Sequence, residues 1–498
     1  MRSGILFLGV IFILFSIGSC RKDFDVKPNQ GKLEFSKDTI FLNTIFSNIG
    51  SSTYNLKVYN RSNNDLTIPK IKLKNGVNSN YRLNVDGIPG KEFNNIDILA
   101  KDSIYIFIET TIDHASLSNP LYTDKLLFDN GDKKQIVDLV TLVKDAHFIY
   151  PDKNGLQIET LVINGEKTDI QGRFLKDSEL TFTAEKPYVI YGYAAITSGK
   201  TLTIEEGTTI HFHENSGLVV DRNAQIKANG SIDKKIIFQG DRLEHRFDDV
   251  PSQWGTIWIR SGSTNNQFSN VLIKNAVVGT LVEGFSPKPS LTIQNCEIYD
   301  SGAYGLFARN SNIIANNLVI GNAGQSSLAC THGGKYSFTH ATFANNWSQG
   351  LRELPAVIIN NYFTYTNDEG IEVTEIRDLM EANFTNSIID GNNNIELVLD
   401  KLQTSLFNYN FKNCLIRFND INNNYDAIEE LNFNDSVHYQ NNMLNGNPSF
   451  KNINKNIFSI LKNSDAIGKG TRSNVSEDIV GNSRNTRVDI GAYQFVQE

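Results

Sequence analysis

The chain is short of cysteine, of sustained charge of one sign and of long apolar runs, and each shortage closes off a class of protein. Four cysteines stand among 498 residues and none forms a Cys-x-x-Cys pair, so no disulfide framework or zinc knuckle is implied. Forty-seven basic and 55 acidic side chains leave a formal charge of −8 with no basic stretch, which argues against nucleic acid as a partner. No Gly-x-Ser-x-Gly elbow, P-loop or Gly-x-Gly-x-x-Gly fingerprint occurs. The apolar run from Ile5 to Ile17 is too short to span a bilayer comfortably. What is present is Phe 30, Tyr 18 and 40% hydrophobic residues, enough to exclude wholesale disorder. The length calls for two or three domains, or one repetitive one.

Arg2 precedes the apolar run, and Gly18, Ser19 and Cys20 follow it. This start resembles a bacterial lipoprotein signal, in which the chain is cut before a cysteine whose thiol is acylated. Ile17 stands where leucine is usual; an ordinary cleaved signal or an uncleaved anchor are the alternatives. The resemblance implies a signal peptide over 1–19, lipidation at Cys20 and a polar tether over 20–30. It also implies a lipid-mediated membrane partner in a Gram-negative outer membrane, and the RKDFD that follows Cys20 is similar to surface-export tags. With Cys20 so used, Cys296, Cys330 and Cys414 remain, an odd number.

Residues 31–147 alternate apolar and polar in short bursts such as TYNLKVYN, SIYIFIETTI and QIVDLVTLV, separated by turn clusters such as NRSNN and DNGDKK. Period-two patterning at this spacing predicts an antiparallel sandwich. It resembles the immunoglobulin-like modules of bacterial surface proteins, without their Cys…Trp…Cys hallmark.

Further along, one hexamer recurs: FSNVLI from Phe268, IQNCEI from Ile293, IANNLV from Ile314, FTHATF from Phe338, IINNYF from Ile358, FTNSII from Phe384 and FKNCLI from Phe411. The spacings of 25, 21, 24, 20, 26 and 27 residues mark a repeat architecture. First and sixth positions are both apolar, which one straight strand cannot place on one face, so a corner must lie between them. The third position supplies it: Asn270, Asn295, Asn316, Asn360, Asn386 and Asn413, with His340 the exception. Asparagine tolerates the left-handed backbone such a bend requires, and its amide can bond to its counterpart in the next coil. The fourth position, which includes Cys296, Asn317, Asn361 and Cys414, is small enough for a crowded interior, so these cysteines read as packed thiols.

Strand, asparagine corner, strand and turn at about 24 residues per coil resemble the right-handed parallel β-helix of the pectate-lyase-like superfamily. The fold class expected is therefore all-β: an immunoglobulin-like β-sandwich over 31–147, then a β-helix over 148–445. The segment 446–498, with SDAIGKG and VDIGAYQF, resembles a C-terminal segment of secreted bacterial β-helix proteins. It is expected to cap the last coil, with Asp489, Gly491 and Tyr493 as cap residues.

A β-helix hosts enzymes, adhesins and inert spikes, so activity has to be argued from residues. In the charged loop GDRLEHRFDDVPSQWGTIWI, Asp241 and Arg242 could contact a sugar chain, with Trp254 or Trp258 as a stacking platform. Arg352 and Glu353 in WSQGLRELP could border the same surface. Asp368, Glu369 and Glu372 in TNDEGIEVTEIRDLM are weak calcium ligand candidates beside Arg377, in a solvated loop or a short amphipathic helix. Polygalacturonase-type NTD, GHG and RIK signatures and a pectate-lyase RxPxxR are absent. No catalytic residue is assigned and no cofactor expected. The reading is a lipid-anchored envelope protein whose β-helix binds a glycan or envelope component without cleaving it. The alternative is a polysaccharide-lyase-like enzyme acting on an anionic polysaccharide, with Ca2+ and the arginines Arg352 and Arg377.

Overall fold

The computed structural model describes residues 26–129, 131–403 and 405–497; Cys20 and the segment 1–19 lie outside them. The described residues form strands and short 3-10 turns, with no α-helix among them, in two compact units, Met1–Asp145 and Ala146–Glu498. The protein is all-β.

In the first unit the period-two pattern does what it must: in Ser103–Thr110 the even-numbered residues are buried and Tyr105 and Phe107 face outward. Two sheets result. One holds Thr39–Phe46, Leu66–Leu73, Glu92–Ile98, Leu121–Phe128 and Gln135–Lys144, the other Tyr54–Tyr59, Tyr81–Val85 and Ser103–Thr110. Leu56, Val58, Ile68, Ile71, Ile106 and Val137 belong to the core between them. The last strand runs parallel to the first long one, so the sandwich is immunoglobulin-like in pairing, not purely antiparallel.

The second unit is a parallel β-helix with three walls. One coil shows the plan: Asn266–Ser269 in wall 1, Val271–Lys274 in wall 2, Ala276–Glu283 in wall 3, then wall 1 again from Leu291. Coils stack in register, so the first hexamer position becomes a column inside the helix: Phe268, Ile293, Ala315, Phe338, Phe384, Phe411 and Tyr439. Rings on this column stack at 5.0 Å (Phe338 on Phe384), 4.8 Å (Phe384 on Phe411) and 5.5 Å (Phe411 on Tyr439). Burying each such side chain contributes roughly 2 kcal/mol. Cys296, Cys330 and Cys414 are buried free thiols in the same core, and burial pushes those of Cys296 and Cys414 up to about 12.

The corner between walls 1 and 2 is left-handed at Asn270, Asn295, Asn317, His340, Asn386, Asn413 and Asn441, with φ of 51°, 53°, 51°, 55°, 52°, 52° and 54°. Two expected corners are thereby corrected. Asn316 is the last extended residue before the bend, paired with Gln294, and Asn317 makes the turn. The sequence alignment took apolar Ile314 as an inward residue, whereas it is 37% exposed and its neighbours Ile313 and Ala315 point inward. Asn360 is extended backbone at the end of wall 3 (Val357–Asn360) and makes no left-handed corner. Two apparent repeats are one long coil: Phe338 pairs directly with Phe384, and His340 meets Asn386 across 46 residues. That coil carries two insertions, the loop 346–356 and an antiparallel hairpin, Tyr362–Thr366 with Glu372–Ile376.

The C-terminal segment does not close the last coil, as its sequence suggested; it runs along the outside of wall 2 and the asparagine corner. Phe458, Ile479 and Ala492 pack on Tyr299, Val319 and Ala344, and Ile460, Ala466 and Ile490 pack on Ile388 and Leu415. The corner amides turn outward to meet it: Asn317 donates to the carbonyl of Glu477 (2.9 Å), Asn386 to that of Thr471 (2.8 Å) and Asn413 to that of Lys469 (2.8 Å). Gly491, at φ +96°, approaches so closely that a Cβ there would lie 2.6 Å from Ile388. Asp489 is fully buried and accepts from the N–H groups of Gly468 and Phe495, and Tyr493 donates to Glu297 at 3.0 Å. The open end of the stack is covered by the segment before Tyr439, where Phe418, Tyr425, Ile428 and Phe433 pack on the core.

Candidate ligand-binding face

Strand register builds the site. On wall 3, Val220, Ile259, Val282, Ala308 and Cys330 stack inward. The residue after each therefore forms a column at the wall's edge: Asp221, Arg260, Glu283, Arg309 and Thr331. Its charges alternate in sign from coil to coil, and neighbouring strands lie ~4.8 Å apart, so each acid meets an arginine. Arg260 pairs with Asp221, and Arg309 with Glu283 at 2.9 Å.

Aromatic side chains flank this charge ladder. Trp258 and Phe307 occupy outward positions of the same wall, on the column Trp258, Leu281, Phe307. The Trp258 indole N–H donates to Glu283 at 2.7 Å, and the Arg260 guanidinium lies 5.5 Å from its ring. The hairpin inserted after wall 3 folds beside the ladder and places Phe363 4.5 Å from the Arg309 guanidinium. It also brings Glu375, with Arg377 at 3.2 Å and His332 at 3.7 Å. Gly333 makes this approach possible: at φ +72° it carries no Cβ, which would otherwise stand 2.4 Å from the Asp378 carbonyl. Burial and the positive charges of Arg377 and Arg309 lower the pKa of His332, outweighing the Glu375 carboxylate that raises it.

The face thus combines ring surfaces with charged donors and acceptors held by one another and only partly exposed, over successive coils. Such a strip suits a long polyhydroxylated chain: C–H faces lie on rings, and hydroxyls exchange hydrogen bonds with guanidinium and carboxylate groups.

Of the residues picked from sequence, Trp258 lies on this face. Asp241 lies elsewhere, bonded to His213 at 2.7 Å, and Arg242 stacks on Phe247 and pairs with Glu244 at 3.0 Å. Trp254 is no platform: it is 1% exposed, stacked on Phe212 at 4.3 Å, and its N–H donates to the Lys274 carbonyl. Arg352 is a buried brace, whose guanidinium grips Glu396 with side chains 1% and 0% exposed; Glu353 beside it is exposed. Asp368, Glu369 and Glu372 sit exposed at the turn of the hairpin, not on a helix, and no group of potential metal ligands occurs among the described residues. Glu283, Arg309 and Phe363 were missed. The signal was the apolar-x-apolar-charged end that several wall 3 strands share, LVVD, IWIR and LFAR among them, which becomes visible only once those strands are set in register.

Residues 173–286 match a family described as a pectate-lyase-like beta helix domain. No curated protein matches the chain. Among solved structures, a family 123 glycoside hydrolase from Clostridium perfringens aligns at 10% identity over 23% of this chain and 30% of its own, with a TM-score of 0.16. The ASH/PapD-like domain 7 of human CEP192 aligns at 15% identity over 24% of this chain and 92% of its own, also with a TM-score of 0.16.

Proposed function

We propose that this chain is a lipid-anchored cell-envelope protein of a Gram-negative bacterium whose β-helix binds a glycan without cleaving it. The matched β-helix domain fits a carbohydrate-related role. One observation carries the binding reading: the partly exposed ladder Asp221, Arg260, Glu283 and Arg309 runs beside Phe307 and Phe363 and beside Trp258, which packs against the cluster of Leu161, Ile163, Ala195 and Val219. Each of its carboxylates is engaged by an arginine, so none is free to serve as the unpaired acid and base of a glycosidase. The anchor rests on Cys20 and the segment before it.

The test is retention of soluble envelope polysaccharides on the immobilised protein. The unaltered chain should retain at least one, Arg309→Ala and Trp258→Ala should retain it at least tenfold more weakly, and no reducing ends or unsaturated uronates should appear. Release of such products would replace this reading by the lyase alternative. That alternative has one observation in its favour: His332 has its pKa lowered, lies near Arg309 and Arg377, and leaves Nε2 without a hydrogen-bond partner.

A further inference from the structure

The first coils hold a second constellation away from the charge ladder. His147–Ile149, Tyr188–Ile190, Thr209–Phe212 and Ile236–Gly240 stack in register in wall 2. The residue following each strand therefore forms a column at the corner between walls 2 and 3: Tyr150, Tyr191, His213 and Asp241. The Tyr150 and Tyr191 rings stack at 4.9 Å, Tyr191 and His213 at 4.4 Å, and His213 Nδ1 lies 2.7 Å from the Asp241 carboxylate.

These rings wall a cavity of about 630 Å³, within the ~300–1,000 Å³ typical of small-molecule sites. The short hairpin Lys153–Asn154 and Gln157–Ile158 contributes Lys153 and Ile158, and the strand Glu166–Phe174 contributes Gln171. Gly192, at φ +67°, lets these segments close in, since a Cβ there would lie 2.7 Å from both Pro151 and the Gln171 carbonyl.

Two features specify the ligand. The Tyr150 and Tyr191 hydroxyls and the side chains of Lys153, Gln171, Glu214 and Asn215 all line the cavity, and none is hydrogen-bonded to another described residue. Five of these six side chains, all but Tyr191, are exposed and meet water in the free protein, and together they border one space with donors and acceptors mixed. Charge on the lining is balanced as well: Lys153 and Glu214 carry opposite signs, and His213, whose pKa is raised by its bond to Asp241, has that carboxylate beside it. Stacking uses up ring faces, so the aromatic groups offer edges and hydroxyls to the cavity. A saccharide's hydroxyls would replace that water while its C–H faces cover the apolar part of the lining, and a strongly charged ligand would find no net countercharge.

We infer that this cavity binds a neutral saccharide of one or two rings, through hydrogen bonds to Tyr150, Tyr191, Gln171, Glu214 and Asn215. It lies apart from wall 3's ladder and does not depend on it.

The experiment is calorimetric titration of the full chain with cellobiose, maltose and chitobiose, and with a diuronic acid for comparison. At least one neutral disaccharide should bind, more tightly than the diuronic acid. Tyr191→Ala should weaken it tenfold or more, and Arg309→Ala should leave it unchanged. Should Tyr191→Ala fail to fold, Gln171→Ala and Glu214→Ala serve instead, being exposed side chains with no partner in the fold. Silence with all three neutral disaccharides, undiminished binding in the cavity variants, preference for the diuronic acid, or equal loss in Arg309→Ala would each overturn the inference. Only the last would also implicate the wall 3 face, so the two readings fail separately.

Discussion

Replacing Asn386 by alanine tests how corner and C-terminal segment are joined. The Asn386 side chain is fully buried at a left-handed φ of 52°. Its amide donates to the Thr471 carbonyl at 2.8 Å and to His340 Nε2 at 3.0 Å, and its carbonyl accepts from Thr471 N–H at 2.8 Å. The imidazole can accept because burial and Arg484 push its pKa down to about 3. Three buried hydrogen bonds at about 1 kcal/mol each make ~3 kcal/mol. Forcing a Cβ-bearing residue without a compensating amide into the left-handed region adds about 1 kcal/mol. A loss of ~4 kcal/mol, spread over a unit of about 350 residues at roughly 2.1 cal/mol/K per residue, lowers the melting temperature by about 5 °C. Asn386→Gly removes the amide without the strain and should fall about 1 kcal/mol short of the alanine variant. Calorimetry reads the shift, and limited proteolysis should release fragments from the segment beyond Thr471 sooner in both variants. A melting curve within 1 °C of the unaltered protein, or full recovery with glycine, would refute the reasoning.

Removing one partner of the buried Arg352 and Glu396 pair should strand a charge, and Arg352→Ala should cost about 3–5 kcal/mol in chemical denaturation. The surface pair of Arg377 and Glu375 offers a control, since Arg377→Ala should change stability by less than about 1 kcal/mol. Asp300, held by Asn456 at 2.8 Å, has its pKa raised to about 7 by burial and by the nearby Asp249. Between about pH 4 and pH 7 the folded chain keeps a proton the unfolded chain has lost, so stability falls as pH rises through that window. Melting temperatures measured across it should show that slope, and Asp300→Asn should flatten it. Cys20→Ser should move the protein from membrane to soluble fraction if the cysteine carries lipid, as fractionation with metabolic acyl labelling would show.

Much of the architecture is written locally. Period-two alternation in strands such as Ser103–Thr110 makes one face apolar whatever surrounds it, and an asparagine between two apolar positions marks a bend. Asn270, Asn295, Asn386 and Asn413 were therefore legible one coil at a time. Asn317 was not, because adjacent asparagines leave the phase open and only the pairing of Gln294 with Asn316 fixes it. Asn360 misled for a related reason: insertions of a loop and a hairpin imitate a repeat, and which strands pair depends on stacking. Asn441, in the less apolar YQNNML, fell below the pattern.

The sites belong to the other side of that division. An alternating charge ladder or a pile of rings joins residues 22 to 41 positions apart, each chemically ordinary in its own strand. What sets them together is coil length, which fixes the register. The chain by itself thus determined that its strands would turn at asparagines and bury one face. Tertiary structure alone decided which side chains share a surface, because backbone hydrogen bonding between coils, and not sequence proximity, sets who neighbours whom.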